Sequence, residues 1–215
     1  MRRTAAVLAA LGLAATACNA NLEARVDGAL LPQATGTVAP GPGVTVVITP
    51  TEVPTVLPLS GTGNPPIVHP VKLAVDHKVP WRVVEQVLDR ADDARQATVF
   101  LVGRRHRVAG FVLSDRLDLG PVLTVRAYVG GKFCVSPPGT DEAYCLESAD
   151  KQHISALFAR GVMDKAVRQY GITQARVVAD PDLAWADLVR TVDGTRTCCQ
   201  GMKVLVVRSR LTEAR

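Results

Sequence analysis

The chain has 215 residues, 47% hydrophobic, 21% charged and only 4% aromatic, with a formal net charge of +5. That length admits one large domain or two small ones. The positive balance is too mild and too scattered for a nucleic-acid partner; the one dense basic cluster, RRHR at 104–107, reads as a solvated loop.

Arg2 and Arg3 precede an uncharged, largely apolar run from Thr4 to Ala17, and Cys18 follows. A basic start, a short apolar centre and small residues at the cut are the layout of a bacterial export signal. The run falls short of the ~20 residues a membrane-spanning helix requires, so residues 1–18 read as a leader. Ala15-Thr16-Ala17-Cys18 is similar to a lipobox, with Ala15 where leucine is usual. Acylation of Cys18 would tie the protein by lipid to the periplasmic face of a bacterial membrane. Asn19 is not the aspartate that in some bacteria retains lipoproteins in the inner membrane, which leans toward the outer one. The same residues fit an A-x-A site, and ordinary cleavage there would give a secreted protein.

Residues 19–43 lack sustained periodicity, end in Pro and Gly, and read as a flexible tether. VTVVIT (45–50) and TVLPL (55–59) follow as a hairpin, and 59–70 as loop. VKLAV (71–75) reads as a strand and TVFLVG (98–103) as another. Between them PWRVVEQVLDRA (80–91) reads as a helix, with Trp81, Val84, Leu88 and Ala91 on one face and Pro80 at the first helical position. LTVRAYV (123–129), Gly130-Gly131 and KFCVS (132–136) form a second hairpin, and SPPGTDEAYC after it reads as loop. A helix is expected from Asp150 to Tyr170, stopped by Gly171. ARVVAD (175–180), a helix on Trp185, Leu188, Val189 and Val192, and KVLVV (203–207) complete the chain.

Shifted by 104 residues, KLAVDHKVPWRVVEQVLD (72–89) lies without a gap on RVVADPDLAWADLVRTVD (176–193). Asp76 meets Asp180, Trp81 meets Trp185 and Asp89 meets Asp193, and the register continues from FLVGR (100–104) onto VLVVR (204–208). His77, Lys78 and Glu85 are not kept; Pro181, Asp182 and Val189 replace them. What survives is a short acid for a turn, a large apolar anchor and an apolar stripe, so Asp76, Pro80, Trp81, Asp89, Asp180, Trp185 and Asp193 read as a fold signature. The expected fold class is α+β: two units over 44–112 and 121–209, each a small mixed sheet with one or two helices on one face, the first abbreviated.

AVDHKVPWRVVEQVLD and, more loosely, VADPDLAWADLVRTVD resemble the signature of the ExbD/TolR periplasmic domain. The resemblance covers 71–103 and, less closely, 121–208. It implies a cell-envelope protein working beside ExbB/TolQ-type channels with TonB- or TolA-type partners, or against peptidoglycan. Members carry a membrane helix with a proton-handling aspartate; residues 4–17 are too short for that helix and hold no acid, so the resemblance extends to the soluble domain. Members commonly work as dimers, which would make two copies in one chain an intramolecular pseudo-dimer.

Asp76 and His77 could form a general-base pair, but adjacent residues at a strand end point apart and the repeat drops the histidine. The four histidines, His69, His77, His106 and His153, lack metal-site spacing, and there is no nucleophile elbow or phosphate loop. No enzyme signature and no cofactor are expected, and binding or scaffolding is the reading; the alternative is a secreted enzyme or thiol-redox protein using Asp76/His77 or Cys198/Cys199. Adjacent Cα atoms are held ~3.8 Å apart where disulfides prefer ~5.5 Å, so a Cys198–Cys199 bridge would be strained. Pairing of Cys134 and Cys145 each with one of Cys198 and Cys199 is therefore expected ahead of Cys134–Cys145 with a free vicinal pair.

Overall fold

Alternation along the strands demands a packed layer on the face the apolar residues share, and in the computed structural model two five-stranded sheets and the helices against them supply it. The structure describes residues 23–41, 44–50, 55–56, 71–90, 99–105, 107–114, 116–140, 142–199 and 202–207. The leader, Cys18, and the loop readings at 59–70 lie outside the described residues. In chain order come β1 (Arg25–Val26), β2 (Ala29–Leu30), β3 (Val44–Ile48), β4 (Thr55–Val56), β5 (Val71–Val75), α1 (Trp81–Arg90), β6 (Val99–Arg104) and β7 (Arg107–Val112). There follow β8 (Leu123–Ala127), β9 (Lys132–Ser136), β10 (Tyr144–Glu147), α2 (Ala156–Tyr170), β11 (Gln174–Ala179), α3 (Trp185–Cys198) and β12 (Lys203–Val206).

The first sheet has the order β4-β3-β5-β6-β7 and the second β10-β9-β8-β11-β12. The trios β3-β5-β6 and β8-β11-β12 are parallel, and antiparallel strands flank them, so the fold is α+β with mixed sheets. The two parallel trios correspond, because β5, α1 and β6 stand about 104 residues before β11, α3 and β12.

Several expectations are corrected. Residues 23–41, read as tether, are built into the fold: β1 and β2 form a hairpin, and Val38 exchanges backbone bonds of 2.8 Å each way with Gly110. The physical reason lies in the first sheet, whose outward positions Val47, Ala74 and Leu101 are apolar. Ala24, Ala29 and Leu31 cover them in a small second core. The second sheet places Thr124, Arg126 and Arg176 on its outward face, where Arg126 bonds Ser136 and Arg176 bonds Thr124, so it requires no such cover. The stretch SPPGTDEAYC, expected as loop, ends in a strand instead: its Tyr144 and Cys145 open β10, an exposed edge strand paired with β9 in register. β7 was not anticipated, because the basic cluster before it obscures the apolar Val108, Ala109, Phe111 and Val112. The helix expected from Asp150 begins at Ala156. Asp150 Oδ1 accepts from the amides of Gln152 and His153 and closes a turn, and Ser155 caps the helix by accepting from Phe158 N. At the other end Gly171 takes the left-handed conformation and donates to Val167 O, the expected stop.

The inward faces of both sheets join in one core that includes Val46, Leu73, Phe100, Val125, Phe133 and Val177. α3 runs through its centre, with ten residues from Trp185 to Thr195 buried around every side of the helix. Gly194 allows α2 to approach it: a Cβ there would lie 2.5 Å from Ala156 O and 2.7 Å from Ala159 Cβ. The Gly194→Ala variant should therefore lose about 1–3 kcal/mol despite alanine's better helix propensity, read as a lower urea midpoint at unchanged slope.

Candidate functional site at the contact of the two strand–turn–helix copies

Each copy ends its strand in an aspartate that folds the following turn. Asp76 Oδ1 accepts from Lys78 N at 3.0 Å and Asp180 Oδ1 from Asp182 N at 2.9 Å. The carbonyls of the same aspartates accept from Val79 and Leu183. The aspartates are thus Asx-turn residues, and the matched sequence is matched bond for bond.

The two turns then meet. Trp81 N donates to Leu183 O at 2.8 Å and Trp185 N to Val79 O at 2.7 Å. Arg82 N donates to Pro181 O and Ala186 N to His77 O. Each bond has its partner when 104 is added to one residue number and subtracted from the other, which is the signature of an isologous twofold contact. Pro80 and Ala184 face each other as an antiparallel bridge on that axis. Pro80 was expected as the first helical residue; it precedes α1, which begins at Trp81. The two tryptophan rings stack beside the axis, 6.2 Å apart and 14° from parallel. Trp185 also packs on Phe100 of the first sheet at 4.6 Å. Arg196 reaches from α3 to the first sheet, donates to Val112 O and lies 4.9 Å over the Phe111 ring. Burial lowers the pKa of its guanidinium, opposed by Asp193. An ion pair between Arg82 and Asp182 closes the exposed edge of the contact.

Asp76 and His77 come together, but their atoms are engaged elsewhere. Asp76 Oδ2 accepts from Leu30 N at 2.9 Å, so both carboxylate oxygens hold backbone. His77 Nδ1 lies 3.2 Å from Asp76 Oδ1 without hydrogen-bond alignment, while His77 N donates to Leu30 O. Asp193, expected as the acid that ends the signature, has a larger role. It is 2% exposed, and it accepts from Thr35 N, Thr35 Oγ1 and Gly36 N at 2.8–3.0 Å. It thereby fastens the N-terminal segment to α3. The side chain of Asp89 lies outside the described residues.

Sequence reasoning did not single out Asp187. Buried in the first turn of α3, it accepts from Ile154 N and from Arg190, and His153 Nδ1 lies 3.2 Å from its second oxygen. An acid in the first turn of a predicted helix was the available signal. Among the described residues no group of three His, Cys, Asp or Glu is placed to hold a metal ion. No described helix is long and apolar enough to cross a membrane.

The cysteine pairing is corrected. Cys134 and Cys145 bond each other across β9 and β10, where they are direct Cα partners 4.0 Å apart. Cys198 and Cys199 are free thiols at the end of α3. The expectation failed because β10 was read as loop, and only as a strand does it set the two residues opposite each other. Burial, followed by the hydrogen bond with Cys199, pushes the Cys198 thiol pKa well up.

No family model, curated protein or solved structure matches the chain.

Proposed function

We propose that the chain is a non-catalytic cell-envelope lipoprotein, anchored through Cys18, whose two ExbD/TolR-like units form a single binding or scaffolding body. Its partners are proton-gradient-coupled transport components of the ExbB/TolQ or TonB/TolA type, or peptidoglycan. The observation that carries the non-catalytic reading is the state of the Asp76/His77 pair: both carboxylate oxygens of Asp76 accept backbone amides that build the turn, and His77 Nδ1, 3.2 Å from Oδ1, makes no aligned hydrogen bond with it. The reciprocal contact around Trp81 and Trp185 supports one body in which the second copy stands where a partner subunit would. The motif itself supplies the family link, through AVDHKVPWRVVEQVLD.

Two measurements test this. Growth with an alkyne-bearing fatty acid should label the wild-type protein, and Cys18→Ala should abolish the label; equal labelling of both overturns the lipid anchor. Affinity capture from the native envelope with crosslinking should recover channel or TonB-type components, or peptidoglycan fragments. Recovery of none of these overturns the partner assignment.

A further inference from the structure

Cys134 and Cys145 are closed on each other, so neither is available to the thiols at the end of α3. Those thiols are close together: Cys198 Sγ and Cys199 Sγ lie 2.6 Å apart. That is inside the contact distance of two unbonded sulfurs and near the ~2.05 Å of a bond. Convergence of adjacent side chains is unusual in a helix, where successive residues point ~100° apart. It is possible here because α3 ends between them. Cys198 is its last residue, and Cys199 is already extended at φ −141° and ψ 121°. Both side chains are partly buried against the main core, and Cys199 O accepts from Met202 N where the chain turns into β12.

We propose that Cys198 and Cys199 are a reversible modification site, closing to a vicinal disulfide by exchange with a low-molecular-weight disulfide. The Cys199 thiolate attacks one sulfur of the donor; the donor's S–S bond breaks, and its other half leaves and takes up a proton. Cys198 then gives its proton to solvent, and its sulfur attacks Cys199 Sγ and displaces the first half of the donor. Two S–H bonds are exchanged for one S–S bond, and the donor is reduced to two thiols. Burial keeps Cys198 protonated, which leaves the first attack on the donor to Cys199. The ring must span Cα atoms held ~3.8 Å apart by one peptide bond, against the ~5.5 Å disulfides prefer. The strain makes the product easily reduced, as regulatory disulfides are. The site is independent of the scaffolding reading.

The experiment equilibrates the full chain in buffers of stepped oxidised-to-reduced glutathione ratio, quenches with acid, alkylates, and maps the peptide between Arg196 and Lys203. As the ratio rises, that peptide should lose both alkylatable thiols together, become two hydrogens lighter, and regain both when reduced glutathione is restored. The Cys198→Ser variant should stop at a glutathione adduct on Cys199. Retention of both thiols by the wild-type peptide at the most oxidising ratio overturns the proposal. So does an end state of glutathione adducts, or of links to the Cys134 or Cys145 peptides. The wild-type titration decides the matter even if the variant does not fold.

Discussion

Replacing Asp193 by alanine should lower the unfolding free energy by about 3–4 kcal/mol, among the largest losses for a single side chain here. The carboxylate is buried and accepts two backbone amides and one hydroxyl from Thr35 and Gly36. Removal takes away three partly buried bonds to a charged acceptor, each worth about 1.5–3 kcal/mol, and because Thr35 and Gly36 are themselves exposed, water replaces part of that loss. Relaxation takes a definite form, because the segment from Leu31 to Gly41 can lift into water and rehydrate its amides. Asp193→Ala should therefore combine a lower urea midpoint with rapid proteolytic cleavage near Thr35. Asp193→Asn keeps one acceptor oxygen and should lose about half as much. Thr35→Val removes only the hydroxyl bond and should cost about 1 kcal/mol without exposing the segment. An Asp193→Ala protein as resistant to protease as the wild type would refute the fastening role.

The second large effect is expected at Trp185. Its ring is fully buried between Trp81 and Phe100, at the contact that joins the two copies. Trp185→Ala should cost about 3–5 kcal/mol, because a cavity there is bounded by both sheets and cannot collapse from one side. Trp185→Phe should cost much less, below about 1.5 kcal/mol. The indole Nε1–H is buried and meets no acceptor among the described residues, so phenylalanine removes an unmatched donor along with the second ring. A double-mutant cycle of Trp81→Leu and Trp185→Leu, read by chemical denaturation, should show coupling of about 0.5–1.5 kcal/mol for the stacked pair. Strict additivity would show that the two rings share a core without supporting each other.

How much was legible beforehand depends on how local the cause was. β5, α1, β6 and their later counterparts could be read from periodicity and a gapless repeat, since a turn acid and an apolar stripe act within a few residues. β10 and β7 were not legible. β10 is short, exposed along its whole length and specified by its pairing with β9, and β7 begins inside a run of arginines. The cysteine pairing failed with β10, because the argument from strain at Cys198–Cys199 was sound but the opposing position of Cys134 and Cys145 was invisible.

The same division holds at the site. By itself the sequence determined that a strand, an aspartate turn and a tryptophan-anchored helix occur twice at one spacing, because those choices follow from backbone geometry and side-chain periodicity. It also determined that His77, Lys78 and Glu85 are dispensable to that unit, since the second copy lacks them. The tertiary structure alone decided that the two turns bond to each other, with Trp81 N on Leu183 O and Trp185 N on Val79 O. It alone decided that an apparent tether is the cover of the first sheet, held by Asp76 at Leu30 and by Asp193 at Thr35 and Gly36. The physical reason is common to both: a backbone amide carries no mark in the sequence of which distant oxygen it will meet. An apolar sheet face likewise states that it must be covered without stating by what.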